Sequence, residues 1–291
     1  MHYRFCSLPW AILITMTLAA VPLMAQERLS ENRLDPRFAD TPMITDPFDF
    51  SLGGFLIDLN TSAAIGGSSG LGSVIRLEEL LGLDANQSLL RLGFRWDFAH
   101  RHSIGLVWFS ISRSSTGHFD EYVDFVDLRF IGDYASDFDV DFYGLEYRYS
   151  LINNNRVDAG FAAGINTFDL FGALEGEAHT IGDTPSEPII EYQREEASFI
   201  APVPGLGIFL DYALTKKLII SSGFQLFDLS IGDYDGRFID SRVTLDWFFS
   251  RHFAVGGGLA ATDIQVVYTG DDPYRIDYSY SGVLIHVRGS F

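Results

Sequence analysis

Past residue 25 the sequence has no cysteine, since Cys6 is the only one in the chain. Disulfides, thiolate metal sites and cysteine nucleophiles are therefore excluded from everything that follows it. Past the same point no run of 18 apolar residues occurs, so a membrane-spanning helix is excluded as well. Basic residues are scarce, with 20 Lys and Arg against 39 Asp and Glu, a net charge of −19. A surplus of that sign repels phosphates and argues against a nucleic-acid partner.

Apolar and aromatic residues are abundant. Hydrophobic residues make up 47% of the chain, with 25 Phe, 13 Tyr and 28 Gly among its 291 residues. Alternating strands can use such a surface without a helical span. The first 25 residues read instead as a cleaved secretory leader: Arg4, an apolar stretch from Ala11 to Ala20, then a short segment with Pro22 ending at Ala25. Cleavage after Ala20 is an alternative. Cys6 precedes the apolar stretch, where it cannot serve as a lipid anchor. Residues 26–47 are polar, contain proline and lack periodicity, which predicts a mobile periplasmic lead-in.

From Phe48 onward the dominant signal has period two. In Leu89–Phe98 the residues Leu90, Leu92, Phe94, Trp96 and Phe98 share one face, and Arg91, Gly93, Arg95 and Asp97 the other. In Phe238–Phe249 the residues Ile239, Val243, Leu245, Trp247 and Phe249 oppose Asp240, Arg242, Thr244 and Asp246. Segments 157–167 and 206–214 alternate in the same way. Such strands belong to a sheet with one apolar and one polar face.

Turn lengths narrow the choice of sheet. Four connections are short, at Ala99–His102, Ile152–Asn155, Thr215–Lys217 and Ser250–His252. They alternate with longer ones at 63–86, 116–133 and 173–195, and with tight exceptions near Asp233 and Asp271. Short turns on one side and long loops on the other mark a transmembrane barrel with its short side in the periplasm. The strands between them are predicted at 48–62, 87–98, 103–115, 134–151, 156–172, 196–214, 218–232, 234–249, 253–270 and 273–291. That makes ten, with eight or twelve as alternatives; extra strands at 70–81 and 118–130 would give twelve. Trp96, Phe98, Tyr147, Tyr149, Tyr212, Trp247 and Phe249 all lie near the short turns, where an interfacial aromatic girdle belongs. The predicted fold is an all-β, antiparallel, up-and-down transmembrane β-barrel over residues 48–291.

The segment YSGVLIHVRGSF at the end of the sequence resembles the C-terminal strand of outer-membrane β-barrels. Phe291 stands at the aromatic position of that motif, and Val283, Ile285 and Val287 alternate before it. Gly289 departs from the pattern, which usually has a larger apolar group there. YRYSLINNNRVDAGFAAG and LDYALTKKLIISSGF are similar to periplasmic hairpins of small OmpA-like and related barrels. The resemblance implies outer-membrane location, Phe291 as an assembly signal read by the barrel-assembly machinery, and lipid and lipopolysaccharide as surroundings. It is silent about activity, and oligomeric state is left open.

The inward face is predicted to carry Asp58, Asp97, Glu146, Asp158, Asp211, Asp240 and Asp246 with Arg91, Arg95, Arg148, Arg242 and Arg288. Rings of one sign would suit a selective pore. Mixed charge in a narrow barrel predicts self-pairing and a plugged lumen. The expected role is structural or surface-interacting, with a narrow channel for small solutes as the alternative and a lipid-modifying enzyme third. Hydrolases of this class need His, a nucleophile and a carboxylate, or paired acids with His, within hydrogen-bond reach. His100, His102 and His252 fall in short turns and His118 and His179 in long loops. His286 shares a face with Ser290 about 13 Å away, so a dyad would need a partner from another strand. Acidic clusters at Asp120–Asp127, Asp183 with Glu187, and Asp271–Asp272 match no calcium-loop spacing; no cofactor or metal is expected. Two strand regions resist simple alternation. Ser103–Ser115 is apolar on both faces, and within Asp137–Leu151 the apolar phase flips near Tyr143. A β-bulge or an extension above the membrane explains the flip. The repeated IGDY at Ile131 and Ile231 reads as turn chemistry, and Leu77–Leu83 as a short helix at the barrel mouth or a strand extension.

Overall fold

A computed structural model describes residues 35–65, 75–125, 128–180, 191–270 and 273–291. The leader read at 1–25 lies outside them, as do Asp127, Asp183, Glu187, Asp271 and Asp272. Ten long antiparallel strands follow one another round a ring. They are β1 (Phe48–Ile65), β3 (Asn86–Ala99), β4 (His102–Phe125), β5 (Leu128–Asn153), β6 (Val157–Thr180), β7 (Glu191–Thr215), β8 (Leu218–Ile231), β9 (Tyr234–Phe248), β10 (Phe253–Tyr268) and β11 (Tyr274–Ser290). A two-residue strand β2 (Ile75–Arg76) and the one-turn helix α1 (Leu77–Leu80) sit between β1 and β3. The ring closes because β11 also pairs with β1, from Asp49 opposite Ser290 to Ile65 opposite Tyr274. Phe48 and Phe291 complete the seam by exchanging both backbone hydrogen bonds at 2.9 Å. Closure pairs every long strand on both sides near the short turns, whereas among the described residues β4 beyond Phe109 has no partner on the β3 side and β7 before Leu206 none on the β8 side.

The predicted count of ten and the short turns match the ring. Two of the predicted long loops do not. Residues 116–125 and 128–133 continue β4 and β5, and 173–180 and 191–195 continue β6 and β7. Strands β4–β7 thus run for 24–26 residues, against 14 in β8. At about 3.3 Å per residue they extend roughly 80 Å, whereas about 9–11 residues cross a bilayer. One side of the barrel therefore rises as a tall wall. The polar composition of these segments resembles a loop because neither face needs lipid.

Parity along each strand is continuous, but the chemistry of the two faces inverts with height. Near the short turns Phe50, Leu52, Leu92, Trp96, Leu145, Tyr147, Leu245, Trp247, Ile285 and Val287 are exposed on the outside. Arg95, Asp211 and Asp246 are buried inside at the same level. Higher up the inside becomes apolar, with Phe55, Ile57, Phe109, Ile111, Val140, Phe142, Phe168 and Leu170 in one core. This inversion accounts for the two resistant segments. In Ser103–Ser115 the outward Leu106 belongs to the belt and the inward Phe109 and Ile111 to the core. In β5 the register against β4 runs unbroken from Phe119 to His102, so no bulge occurs at Tyr143. Phe138, Val140 and Phe142 point inward above Glu146 and Arg148, while Leu145, Tyr147 and Tyr149 face out.

The first IGDY lies in a register shift between Phe130 and Tyr134, with Gly132 at φ 80°. The second is the β8–β9 turn, with Gly232 at φ 59°. Both conformations favour glycine.

The lead-in is docked rather than mobile over residues 35–47. Phe38, Met43 and Ile44 pack with Ala213, Ile219, Phe248 and Ala254 inside the short-turn end. The Met43 amide donates to Ser290 Oγ at 2.7 Å, and Arg95 donates to the Met43 carbonyl. Gripped on both sides, Met43 adopts φ 65°, a conformation costly for a side-chain-bearing residue. Asp46 fixes the same segment through Arg251 (2.5 and 2.6 Å) and Ser290 (2.9 Å).

Candidate functional site

In the lumen charged side chains from many strands converge, and it is layered. At the bottom lies the docked lead-in. Above it the odd residues of β1, β3 and β7 and the even residues of β5, β6, β9 and β11 project inward. Arg95 of β3 reaches across to Asp211 of β7 at 3.2 Å, and its Nε lies 3.3 Å from Asp97. Arg148 approaches Asp211 at 3.5 Å and binds Glu146, which also accepts from Gln225. Asn166 donates to Gln225 at 3.2 Å, extending this chain to β6. Beside Arg95, round the wall through β1, β11 and β9, Arg288 bridges Asp49 (3.0 Å) and Asp246 (3.1 Å). His286 Nε2 lies 2.6 Å from Asp246 Oδ1. Gly256 makes room for that pair, because a Cβ there would sit 2.4 Å from Asp246 and 2.6 Å from His286.

Of the residues predicted to share the lumen, Arg95, Asp97, Glu146, Arg148 and Asp211 form one linked group, and Asp246 with Arg288 a second. Asp158 is buried low in the barrel, 3.4 Å from Asn153 Nδ2. Asp240 accepts from Thr262 at 2.6 Å. Arg91 and Arg242 line a lumen cavity of about 130 Å³ together with Asp240 and Tyr280. Asp58 is a correction, since it is exposed on the outside of β1. Sequence alternation placed it inside because Phe55, Ile57 and Leu59 look like a lipid face. They are buried core residues above the inversion, which puts the even residues outward.

Aromatic rings close the lumen above the charges. Phe109 stacks on Phe142 at 4.6 Å between ring centroids, Phe142 meets Phe168 at 4.9 Å, and Phe168 meets Tyr278 at 6.1 Å. Phe109 also meets Tyr280 at 5.8 Å, as does Phe55. Strands β6 and β11 are five steps apart in either direction round the ring. The Phe168–Tyr278 contact therefore spans the full diameter. Higher still, α1 folds inward: Leu77, Leu81 and Leu83 pack with Phe119, Val123, Phe130 and Leu174. Glu78 holds it there by pairing with the buried Arg113 at 2.6 Å and accepting the Thr61 amide at 2.8 Å. Of the two readings of Leu77–Leu83, the helix is correct over Leu77–Leu80.

Compared by sequence, the chain matches no protein-family model and no curated protein. Compared by structure, it is similar to the outer membrane protease OmpT from Escherichia coli, with a TM-score of 0.56 at 10% identity. That match covers 90% of this chain and 100% of the protease. The fold is that of the outer-membrane β-barrels. Looser matches to the Yersinia pestis attachment invasion locus protein Ail (TM-score 0.28, 9% identity, 83% of this chain and 98% of that one) and to Pseudomonas aeruginosa OprG (0.30, 11%, 84% and 97%) add nothing to it.

This outer-membrane-type barrel holds several lumen residues that alternation alone did not reveal. Asp49, Gln225 and Asn166 join the charge groups, and Arg113 pairs with Glu78. Their inward parity was readable, but Asn166 and Gln225 find partners two and three strands away, Arg113 finds its partner in α1, and Asp49 finds Arg288 across the closing seam. His286 does find its carboxylate on another strand, Asp246 of β9, as a dyad would require. Among the described residues its Nδ1 has no hydrogen-bond partner, so no hydroxyl among them is held against it. His118 pairs with Asp133 at 2.7 Å on the exposed face of the wall. Among the described residues no three His, Cys, Asp or Glu side chains converge as a metal site.

Proposed function

We propose that the chain is an integral outer-membrane protein whose barrel does not conduct and whose tall extracellular wall serves a structural or surface-interaction role. The observation that carries this reading is the Phe168–Tyr278 contact across the full diameter of the ring. It is reinforced below by the docked lead-in and above by α1. A solute would have to displace all three layers. The belt of exposed Phe, Leu, Trp and Tyr round the lower barrel has the chemistry of a lipid-facing surface. Its surroundings are then outer-membrane lipid and lipopolysaccharide. The leader at residues 1–25 would export the chain, and Phe291 would present it to the barrel-assembly machinery. The terminal-strand and hairpin likeness to small OmpA-like and related barrels supports the same reading.

The test is electrical. Purified protein folded into planar bilayers is expected to show no stable single-channel openings. Long-lived openings of the unaltered protein would refute the plugged lumen and favour a narrow channel.

A further inference from the structure

Above the aromatic layer the lumen contains a cavity of about 200 Å³. The geometry points to a binding site in it for a small, uncharged, apolar molecule about the size of a single aromatic ring. Its floor follows from strand parity. Leu170 is the next inward residue above Phe168, and Ile276 the next above Tyr278, so the cavity rests on the closed diameter. Phe138 and Phe199 form walls on β5 and β7, and Leu77 of α1 and Leu81 just beyond it close another side.

Three properties select the ligand class. First, the polar groups at the lining are already engaged. Thr61 is held by Glu78 and Arg113, and Asp137 lies 3.4 Å from Arg194 at the rim. Ser198 is exposed on the outward face of β7. A buried water needs two to four polar partners, and an ion needs more, so neither is well served here. Second, natural cores leave few voids larger than a water molecule, whereas an apolar cavity of about 150 Å³ in another protein holds benzene. Third, the inward Phe125, Phe199, Tyr274 and Ile276 are only partly buried, so among the described residues the cavity is open toward the long-hairpin end. With a closed floor it can bind but not pass its ligand. The conductance test above reads the aromatic layer and not this cavity, so either reading can fail alone.

Gly172 supplies the control. A Cβ added there would meet only Phe138 at 3.8 Å and Phe125 at 4.0 Å, so a larger side chain grows into the cavity without a clash at its base. Benzene is titrated calorimetrically into the full folded protein and into Gly172→Leu, both held in amphipol. Partition into the amphipol is common to the two, so their difference isolates the cavity. The expected result is saturable binding to the unaltered protein, weakened at least tenfold in Gly172→Leu while its heat-modifiable gel mobility is retained. Equal heats in the two proteins, or no saturable component in the unaltered one, would overturn the proposal. Xenon-pressurised crystals of the unaltered protein decide the matter if Gly172→Leu does not fold. Xenon between Leu170 and Phe138 supports the site, and an empty cavity refutes it.

Discussion

Replacing Phe168 by alanine asks how much the closed lumen contributes to holding the barrel together. Phe168 is 2% exposed and touches rings from β5 and from β11, opposite it. Removing such a ring loses its burial energy and leaves a void that the rigid ring of strands cannot collapse, about 3–5 kcal/mol in all. Phe161 lies on the same strand but faces outward and is 55% exposed. Phe161→Ala loses only the transfer term, about 1.5–3 kcal/mol, because lipid flows into the space. The pair therefore compares one side chain in two environments, with Phe168→Ala expected to cost more by about 1–2 kcal/mol, the cavity term. Urea unfolding from phospholipid vesicles, followed by tryptophan fluorescence, measures both. If Phe168→Ala cost no more than Phe161→Ala, Phe168 would not be packed across the lumen and the plug would be wrong.

Further outcomes follow from the same contacts. Arg251→Ala removes the charge partner of Asp46 and should accelerate proteolysis within residues 35–47 while leaving the barrel's gel mobility unchanged. Burial pushes the Asp46 carboxyl up, but hydrogen bonds from Arg251 and Ser290 outweigh it and hold the group below its ordinary 3.8. Its contribution is thus present above the unfolded-state value and lost as pH falls through the depressed one, so hydrogen exchange at Met43 should rise only in strong acid. Gly256→Ala drives a methyl group into Asp246 and His286 and should destabilise the barrel by about 1–3 kcal/mol in the same urea assay. The Asp133 hydrogen bond raises the His118 imidazole above its ordinary 6.5. That pair contributes fully below the free value and is lost as pH rises through the raised one. An NMR titration should show the shift, and Asp133→Asn should reduce it, leaving the smaller pull of Asp120 and Glu177.

Much of the architecture was legible in the chain because turns and alternation are local properties. Ala99–His102 and Ser250–His252 announce tight reversals, and Leu90 to Phe98 alternate without a break. Alternation reveals which residues share a face but not which face is inside, and here that assignment depends on height. Asp58 was misplaced for this reason, and of the two readings at Tyr143, a bulge or an extension above the membrane, the regular 26-residue β5 excludes the bulge and fits the extension. The polar continuations of β4–β7 passed for loops because strands outside a membrane lose the apolar face that identifies them. Docking of Met43 and Ile44 was not legible, since its partners Ser290, Arg95 and Ile219 are distant in sequence. Within the lumen most charged residues were legible by parity; Asp58 was placed inside wrongly, and Asp49 and Arg113 were missed. Arg95 meets Asp211 because the ring closes and brings β3 and β7 across the lumen, whereas His286 meets Asp246 over Gly256 of the intervening β10.

The central claim is that lipid, and not a second layer of protein, covers the apolar outside of one closed sheet. Past residue 25 the chain has three tryptophans, Trp96, Trp108 and Trp247, all at outward positions of the belt. Fluorescence of the protein folded in vesicles of brominated phosphatidylcholine measures their contact with acyl chains directly. The account predicts that most of the emission is quenched relative to unbrominated vesicles. Undiminished emission from folded protein would contradict it.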